Sequence, residues 1–383
     1  MAGSPARRAA PWRGAGAAAL LALAAGASGC CRCAQSPAFA RVEAAPAAAP
    51  VPLSPLLRIL HFADYGDDTC QQAVMAEAMT ASHRRAPFDL AVSAGDNVYE
   101  CGLDPTLPGA SGCAFAEGGN AVAPGYAPPH DPLMAERFER LLGGLARGGA
   151  PMPIHPALGN HDVGLTLSCN GRSDPAVQRT RACLEVAWRT PRWVMPGRHY
   201  SVDAGPARFL VIDSNLLTGD YGGFTLDGEV AFLEAEAATC ASRPCFVVAH
   251  HPAATAGGHR ADFTPEYLAR LDRLERAVTG GGGRIAAWLS GHDHDLQHLR
   301  APGGYDVFVS GNTSRGRDGE TFERVEPPAA RLLFASTAWG LGRLEIGAAG
   351  WSYRFENDRG EAVHCCAPAG QGPCQPVACA PGP

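Results

Sequence analysis

The feature that most constrains this chain is a repeated juxtaposition: short apolar runs, most of them closed by a cluster of Asp, Asn or His. The runs are Leu56 to Ala63, Phe88 to Ala94, Ile154 to Leu158, Phe209 to Ile212, Cys245 to Ala249, Ile285 to Leu289 and Tyr305 to Val309. Each is short and mostly apolar, as strands buried on both faces are. Helical patterns lie between several of them, at Gln71 to Arg84, Pro132 to Leu145, Leu226 to Ala238 and Pro265 to Val278. Strands alternating with helices make an α/β architecture, and Gly342 to Ile346 with Trp351 to Phe355 supplies its last strands.

The polar clusters are Asp64-Tyr65-Gly66, Gly95-Asp96-Asn97-Val98-Tyr99, Gly159-Asn160-His161-Asp162, His250-His251 and Gly291-His292-Asp293-His294. All follow the carboxyl ends of predicted strands, where open α/β sheets place their sites. One such Asp is most simply a cap on the next helix. Five coincident clusters of metal-ligand types are not explained that way. His292 and His294, one residue apart, can face neighbouring ions, although His-x-His also occurs on strand ends that bind nothing.

Composition removes several alternatives. The 383 residues are 46% hydrophobic, enough for a substantial core in one large domain or two ordinary ones. A net charge of -6 provides no basic field, so no nucleic-acid partner is expected. The chain has no lysine, which excludes Walker-type phosphate binding and Schiff-base chemistry.

Arg7, Arg8 and Arg13 precede the apolar run Ala15 to Ala27, so residues 1–29 read as a signal peptide, too short to span a bilayer. Ala27-Ser28-Gly29-Cys30 resembles a bacterial lipoprotein cleavage site, with Ala27 where leucine is usual, and a lipidated Cys30 would attach the chain to a membrane. Residues 30–55, rich in Ala and Pro, form a tether. The catalytic domain is expected over 56–357, followed by a Cys-rich tail, 358–383, held by disulfides as an appendage. Fourteen cysteines in an exported chain point to disulfides. Proximity in sequence suggests Cys101 with Cys113, Cys169 with Cys183, Cys240 with Cys245, and pairing among Cys365, Cys366, Cys374 and Cys379. The segments Gly102 to Pro129 and Thr166 to Arg181 read as long loops.

In motif order the chain resembles the calcineurin-like metallophosphoesterases and, within them, the small animal-type, tartrate-resistant purple acid phosphatases. The resemblance rests on Asp64-x-Gly66, Gly95-Asp96-x-x-Tyr99, Gly159-Asn160-His161-Asp162, Val247-x-x-His250 and Gly291-His292-x-His294, and covers roughly residues 57–350. It implies a four-layer α/β/β/α sandwich with two packed mixed sheets. It also implies Fe(III) held by Asp64, Asp96, Tyr99 and His294, with Asp96 bridging to a divalent Fe, Zn or Mn completed by Asn160, His250 and His292. Generic family members carry a ligating histidine where this chain has Gly66. Tyr99 supplies a hard phenolate that suits a trivalent ion. His250 is taken as the ligand because Pro252 follows at the family's offset, and His251 as a packed neighbour. His161 and His259 would contact the substrate without binding metal.

The activity implied is hydrolysis of small phosphate monoesters by metal-bound hydroxide with an acidic optimum, in an exported, monomeric enzyme that is secreted, periplasmic or anchored at the cell envelope. A phosphodiesterase or pyrophosphatase on the same site is the second reading. A non-catalytic, lipid-anchored, Cys-rich surface protein is the reading from another class.

Overall fold

The computed structural model describes residues 56–169, 174–317, 319–348, 350–368 and 373–379. The expected signal peptide and tether, with Cys30, lie outside the described residues. In chain order the elements are β1 (Leu57–Phe62), α1 (Cys70–Arg85), β2 (Leu90–Ser93), a ribbon of β3 (Ala146–Arg147) and β4 (Ala150–Pro151), β5 (Ile154–Pro156), the short α2 (Asn160–Val163), α3 (Pro175–Ala187), β6 (Tyr200–Ala204), β7 (Ala207–Val211) and α4 (Leu226–Ser242). There follow β8 (Cys245–Val248), α5 (Pro265–Thr279), β9 (Ile285–Ser290), β10 (Leu296–Arg300), β11 (Asp306–Ser310), β12 (Arg331–Ser336), β13 (Gly340–Gly347), β14 (Gly350–Asn357), β15 (Ala362–Pro368) and β16 (Cys374–Val377).

Two seven-stranded sheets result, ordered β16-β15-β14-β13-β1-β2-β5 and β12-β10-β11-β9-β8-β7-β6. Both are mixed. In the first, β1, β2 and β5 run parallel while β1 pairs antiparallel with β13. In the second, β7, β8, β9 and β11 form the parallel block. The sheets pack through aromatic side chains: Phe308 of β11 stacks on Tyr353 of β14 at 3.8 Å, and Phe246 of β8 meets Trp351 edge-on at 5.5 Å. Such contacts bury large rings that dominate core energetics. On the outside, α1 is tied to β13 where Arg343 donates to the Ser82 carbonyl at 3.0 Å. The Cys240–Cys245 disulfide ties α4 to β8. The layers are thus α/β/β/α.

Elements defined by continuous apolar runs match their sequence reading, whereas those stabilised by polar pairing do not. Strand β10, Leu-Gln-His-Leu-Arg, is buried at Gln297 and His298 because Gln297 bonds Asp295 at 2.7 Å and His298 bonds Asp306 at 3.0 Å. The segment read as a loop from Thr166 contains α3, opened by Asp174, whose side chain accepts from Ala176 N, and by Pro175 at the first helical position. The helix expected over Pro132 to Leu145 is present but irregular, a wide π-helical stretch, Met134–Arg140, running into a tight 3-10 turn, Leu141–Gly144. A Cβ at Gly144 would lie 2.5 Å from Thr80, so the close approach to α1 tightens that end.

The cysteine-rich tail, expected as an appendage, continues the first sheet. Strand β15 pairs with β14 and β16 with β15, with Cys365–Cys379 and Cys366–Cys374 closing the hairpin. Backbone pairing and cross-links supply what its sparse apolar content does not. Two other disulfides correct the sequence expectation: the bonds are Cys101–Cys169 and Cys113–Cys183. Each joins the two long connecting segments to one another instead of closing a local loop. Cys70 is disulfide-bonded as well.

Candidate metal centre

The carboxyl ends of β1, β2, β5, β8 and β9 deliver the five clusters to one buried spot. Three residues there, Asp64, Asp96 and His292, have left-handed backbones, with φ of 55°, 53° and 70°. Non-glycine residues seldom adopt this region, at a cost of order 1–3 kcal/mol each, and it is concentrated at functional sites. Close packing leaves no slack. A Cβ on Gly66 would fall 2.0 Å from the Asn97 carbonyl oxygen, and one on Gly291 would fall 2.3 Å from Asp64 Oδ2.

One corner of the site gathers acidic oxygens. The Tyr99 hydroxyl donates to Asp64 Oδ1 at 3.0 Å and meets His294 Nε2 at 3.3 Å, and His294 Nε2 lies 3.5 Å from Asp64 Oδ1. The other corner gathers imidazole and amide groups around Asp96. His250 Nε2 is 2.9 Å from Asn160 Oδ1, 3.4 Å from Asp96 Oδ1 and 3.2 Å from His292 Nδ1. Ligand atoms of Asp64, Asp96 and His250 all lie within 4.8 Å of one another. The opposite ring nitrogen of His250 faces the Ala94 carbonyl at 2.9 Å, which leaves Nε2 turned to the centre.

Electrostatics test whether this donor set suits cations. Asp64, Asp96 and Tyr99 are almost wholly buried together. Burial, then the neighbouring Asp64 and Asp96, raise the Tyr99 phenol well above its ordinary range. Burial raises Asp64 to about 7, although His250 opposes the shift. Burial takes His292 well below the ordinary imidazole value and His294 to about 3, so both rings are neutral, as metal ligands must be. Crowded, buried acidic oxygens facing neutral imidazoles are costly alone and suited to a pair of positive ions.

The flanking histidines are held from behind. His161 Nδ1 faces the Glu100 carbonyl at 2.8 Å while its backbone N–H donates to Asp96 Oδ1 at 2.9 Å. Asp162, next in the chain, accepts from the N–H groups of Gly159 and Val98 at 2.7 and 2.8 Å, locking the Asn160 turn to the loop that carries Asp96. His259 stacks on His292 with ring centroids 3.8 Å apart. His251 is buried behind His250 and bonded to Ser214 at 3.1 Å.

Three residues escaped the sequence reading. Asp262 Oδ2 lies 2.9 Å from His292 Nε2 and 3.1 Å from His259 Nδ1, so one carboxylate orients both rings. The spacing His259-x-x-Asp262 on one helical turn was the available signal. Arg315, placed over the Tyr99 ring at 4.0 Å and ion-paired with Asp67 and Glu100, and Arg317, bonded to His259, follow β11. Asp293 also gains a position: its carboxylate accepts from His259 N at 2.8 Å and from Thr255, clamping the His259 loop. A cavity of about 890 Å³ opens at the opposite ends of β8 and β9, beside Arg243, Tyr305 and Trp351. Among the described residues no cluster of ligand groups converges there, so size does not locate the chemistry.

The family profile of the calcineurin-like phosphoesterases matches residues 57–296, from β1 through the His292/His294 pair. The chain belongs to this family. It is a metal-dependent phosphoesterase, and its paired mixed sheets are the family's fold. Among curated proteins, this phosphoesterase is similar to purple acid phosphatase 7 of Arabidopsis thaliana, 21% identical over 281 residues, covering 69% of this chain and 71% of that protein. Among solved structures it resembles GAP50, described as the anchor in the inner membrane complex of Plasmodium, with TM-score 0.59, 17% identity and coverage of 81% and 87% of the two chains. It also resembles purple acid phosphatase PPD1 from yellow lupin, Lupinus luteus, with TM-score 0.55 and 14% identity, covering 83% of this chain and 54% of that one. These structural likenesses speak for the fold.

Proposed function

We propose that this phosphoesterase is an exported acid phosphatase that hydrolyses phosphate monoesters at an Fe(III)–M(II) centre, with M being Fe, Zn or Mn. The observation that carries the reading is the corner where Tyr99 joins Asp64 and His294, next to a Gly66 whose position admits no side chain. A phenolate in place of a histidine favours a hard trivalent ion. Asp64, Asp96, Tyr99 and His294 would hold that ion, and Asp96, Asn160, His250 and His292 the divalent one. Such a pair supplies neutralisation of phosphoryl charge and activation of a water for in-line attack.

The protein's own groups do the rest. His161, its Nδ1 fixed by the Glu100 carbonyl, presents Nε2 to the phosphate or leaving oxygen. His259 is raised above the ordinary imidazole value: burial lowers it, but Asp262 and Asp293 outweigh burial and the opposing charge of Arg317. A protonated imidazole there pairs with phosphate and can protonate a departing alkoxide. The disulfides fit an oxidising compartment, in keeping with export.

The test is a visible spectrum of purified protein with paired assays on an aryl phosphate monoester and diester. A tyrosinate-to-iron charge-transfer band that disappears in Tyr99→Phe, with faster monoester turnover and an acidic optimum, is the expected result. Full activity in colourless protein, unchanged by Tyr99→Phe, would remove the ferric assignment; preference for the diester would replace the monoesterase.

A further inference from the structure

The loop after β11 reaches the same centre but brings arginine instead of a metal ligand. Its backbone is anchored on the end of β1: Thr313 Oγ1 donates to the Ala63 carbonyl, Ser314 Oγ to the Asp64 carbonyl, and Asn312 Nδ2 to the Thr337 carbonyl at 2.7 Å. An arm fixed on the Asp64 peptide holds its arginines in register with the site. Arg315 is neutralised by Asp67 and Glu100. Arg317 is not.

Among the described residues no carboxylate forms an ion pair with Arg317. Its Nη2 meets His259 Nε2, and its Nε is buried without a hydrogen-bond partner. Gly258 makes room for the guanidinium, since a Cβ there would fall 2.1 Å from Nη1. A guanidinium with donors to spare, converging with a histidine on one spot, lacks an anionic acceptor. The planar fork suits phosphate oxygens.

We propose that Arg317 binds the substrate's phosphoryl group together with His259, on the side of the centre formed by His292. This rests on the phosphoesterase reading and adds a planar, fork-shaped donor to the groups that face the phosphoryl oxygens. Arg317 is a binding residue for the anion and holds no metal.

The experiment is calorimetric titration of the metal-loaded protein with inorganic phosphate, in wild type, Arg317→Ala and Arg317→Lys, with metal content and thermal midpoint measured alongside. Arg317→Ala should weaken phosphate roughly 10- to 100-fold, the worth of hydrogen bonds to a charged group. Metal content and midpoint should stay unchanged, and Arg317→Lys should recover part of the loss as a point charge without the fork. Phosphate binding within about twofold of wild type in Arg317→Ala would overturn the assignment. So would weaker binding accompanied by loss of metal or of the thermal midpoint, which would make the residue structural. If wild type neither binds phosphate nor hydrolyses an ester, both the phosphoesterase reading and this one fall; hydrolysis with an indifferent Arg317→Ala removes this one alone.

Discussion

Gly66 joins a chemical requirement to a steric one. Its N–H donates to the Asp96 carbonyl at 3.1 Å and its own carbonyl accepts from Tyr99 N at 3.1 Å, so the ends of β1 and β2 are zipped together through it. A side chain would strike the Asn97 backbone, which cannot move without dragging Asp96. Gly66→Ala should therefore destabilise by roughly 2–4 kcal/mol and reduce metal content. An unchanged denaturation midpoint in guanidinium would contradict this packing argument. Asp262 offers a second test. Removing a carboxylate that orients a ligand histidine typically weakens metal binding about 10- to 100-fold. Asp262→Ala should do so for the divalent ion, read by competition with a chelator, while leaving the ion beside Tyr99 in place. Equal loss of both ions would mean that Asp262 supports the whole loop and not His292 in particular.

Among elements, the two connecting segments that flank His161 matter most. Cys101 directly follows Glu100, whose carbonyl orients His161, and the Cys101–Cys169 bond pins that peptide to the distant segment before α3. Closing a loop with a sequence separation of 68 residues contributes about 4 kcal/mol in the chain-entropy view. A Cys101→Ser, Cys169→Ser double variant should lose stability of that order in calorimetry. It should also lose kcat more than metal content, because the ring of His161 loses its fixed partner. If kcat survives while stability falls, the staple serves the fold and leaves the histidine unaffected. At this scale, too, β15 and β16 acquire a purpose. His364 Nε2 meets His298 Nδ1 at 2.9 Å, linking the first sheet's edge to the interior of the second.

For the whole molecule, pH acts on groups remote from the metal centre. Burial lowers His61 from 6.5 to about 3 and His155 to about 4, while burial and then His298 lower His364 to about 4. At these three rings the folded chain thus binds fewer protons than the unfolded one below pH 6.5, so the stability they allow is complete above that pH and declines as pH falls through 6.5 toward 4. Glu356 acts in the same direction over a lower window. Burial pushes it up, but Arg343 and Arg354 outweigh burial and leave it at about 2, so its contribution is present above 4.5 and lost as pH falls toward 2. These rings should therefore lower the thermal midpoint from pH 7 to pH 4, opposed by buried carboxyls such as Asp64, and a His155→Asn, His364→Asn variant should show a shallower fall than wild type. A fall as steep in the double variant as in wild type, read by scanning calorimetry, would show that these rings are not the ones that couple folding to protons.

The sequence by itself determined the residue types that meet at the proposed metal centre and their order, because ligand chemistry admits few side chains and buried strands announce their ends. Asp64, Asp96, Tyr99, Asn160, His250, His292 and His294 all appear in motifs that can be read one strand at a time. Tertiary structure alone decided that Cys101 meets Cys169 and Cys113 meets Cys183, that the tail completes a sheet, that Asp262 reaches His292 as well as His259, and that Arg317 alone of the loop's two arginines remains without a carboxylate in ion-pair contact among the described residues. These depend on distances between segments far apart in the chain, and no local periodicity encodes them. Gly66 belongs to both accounts: its missing ligand was legible, but its missing space was not.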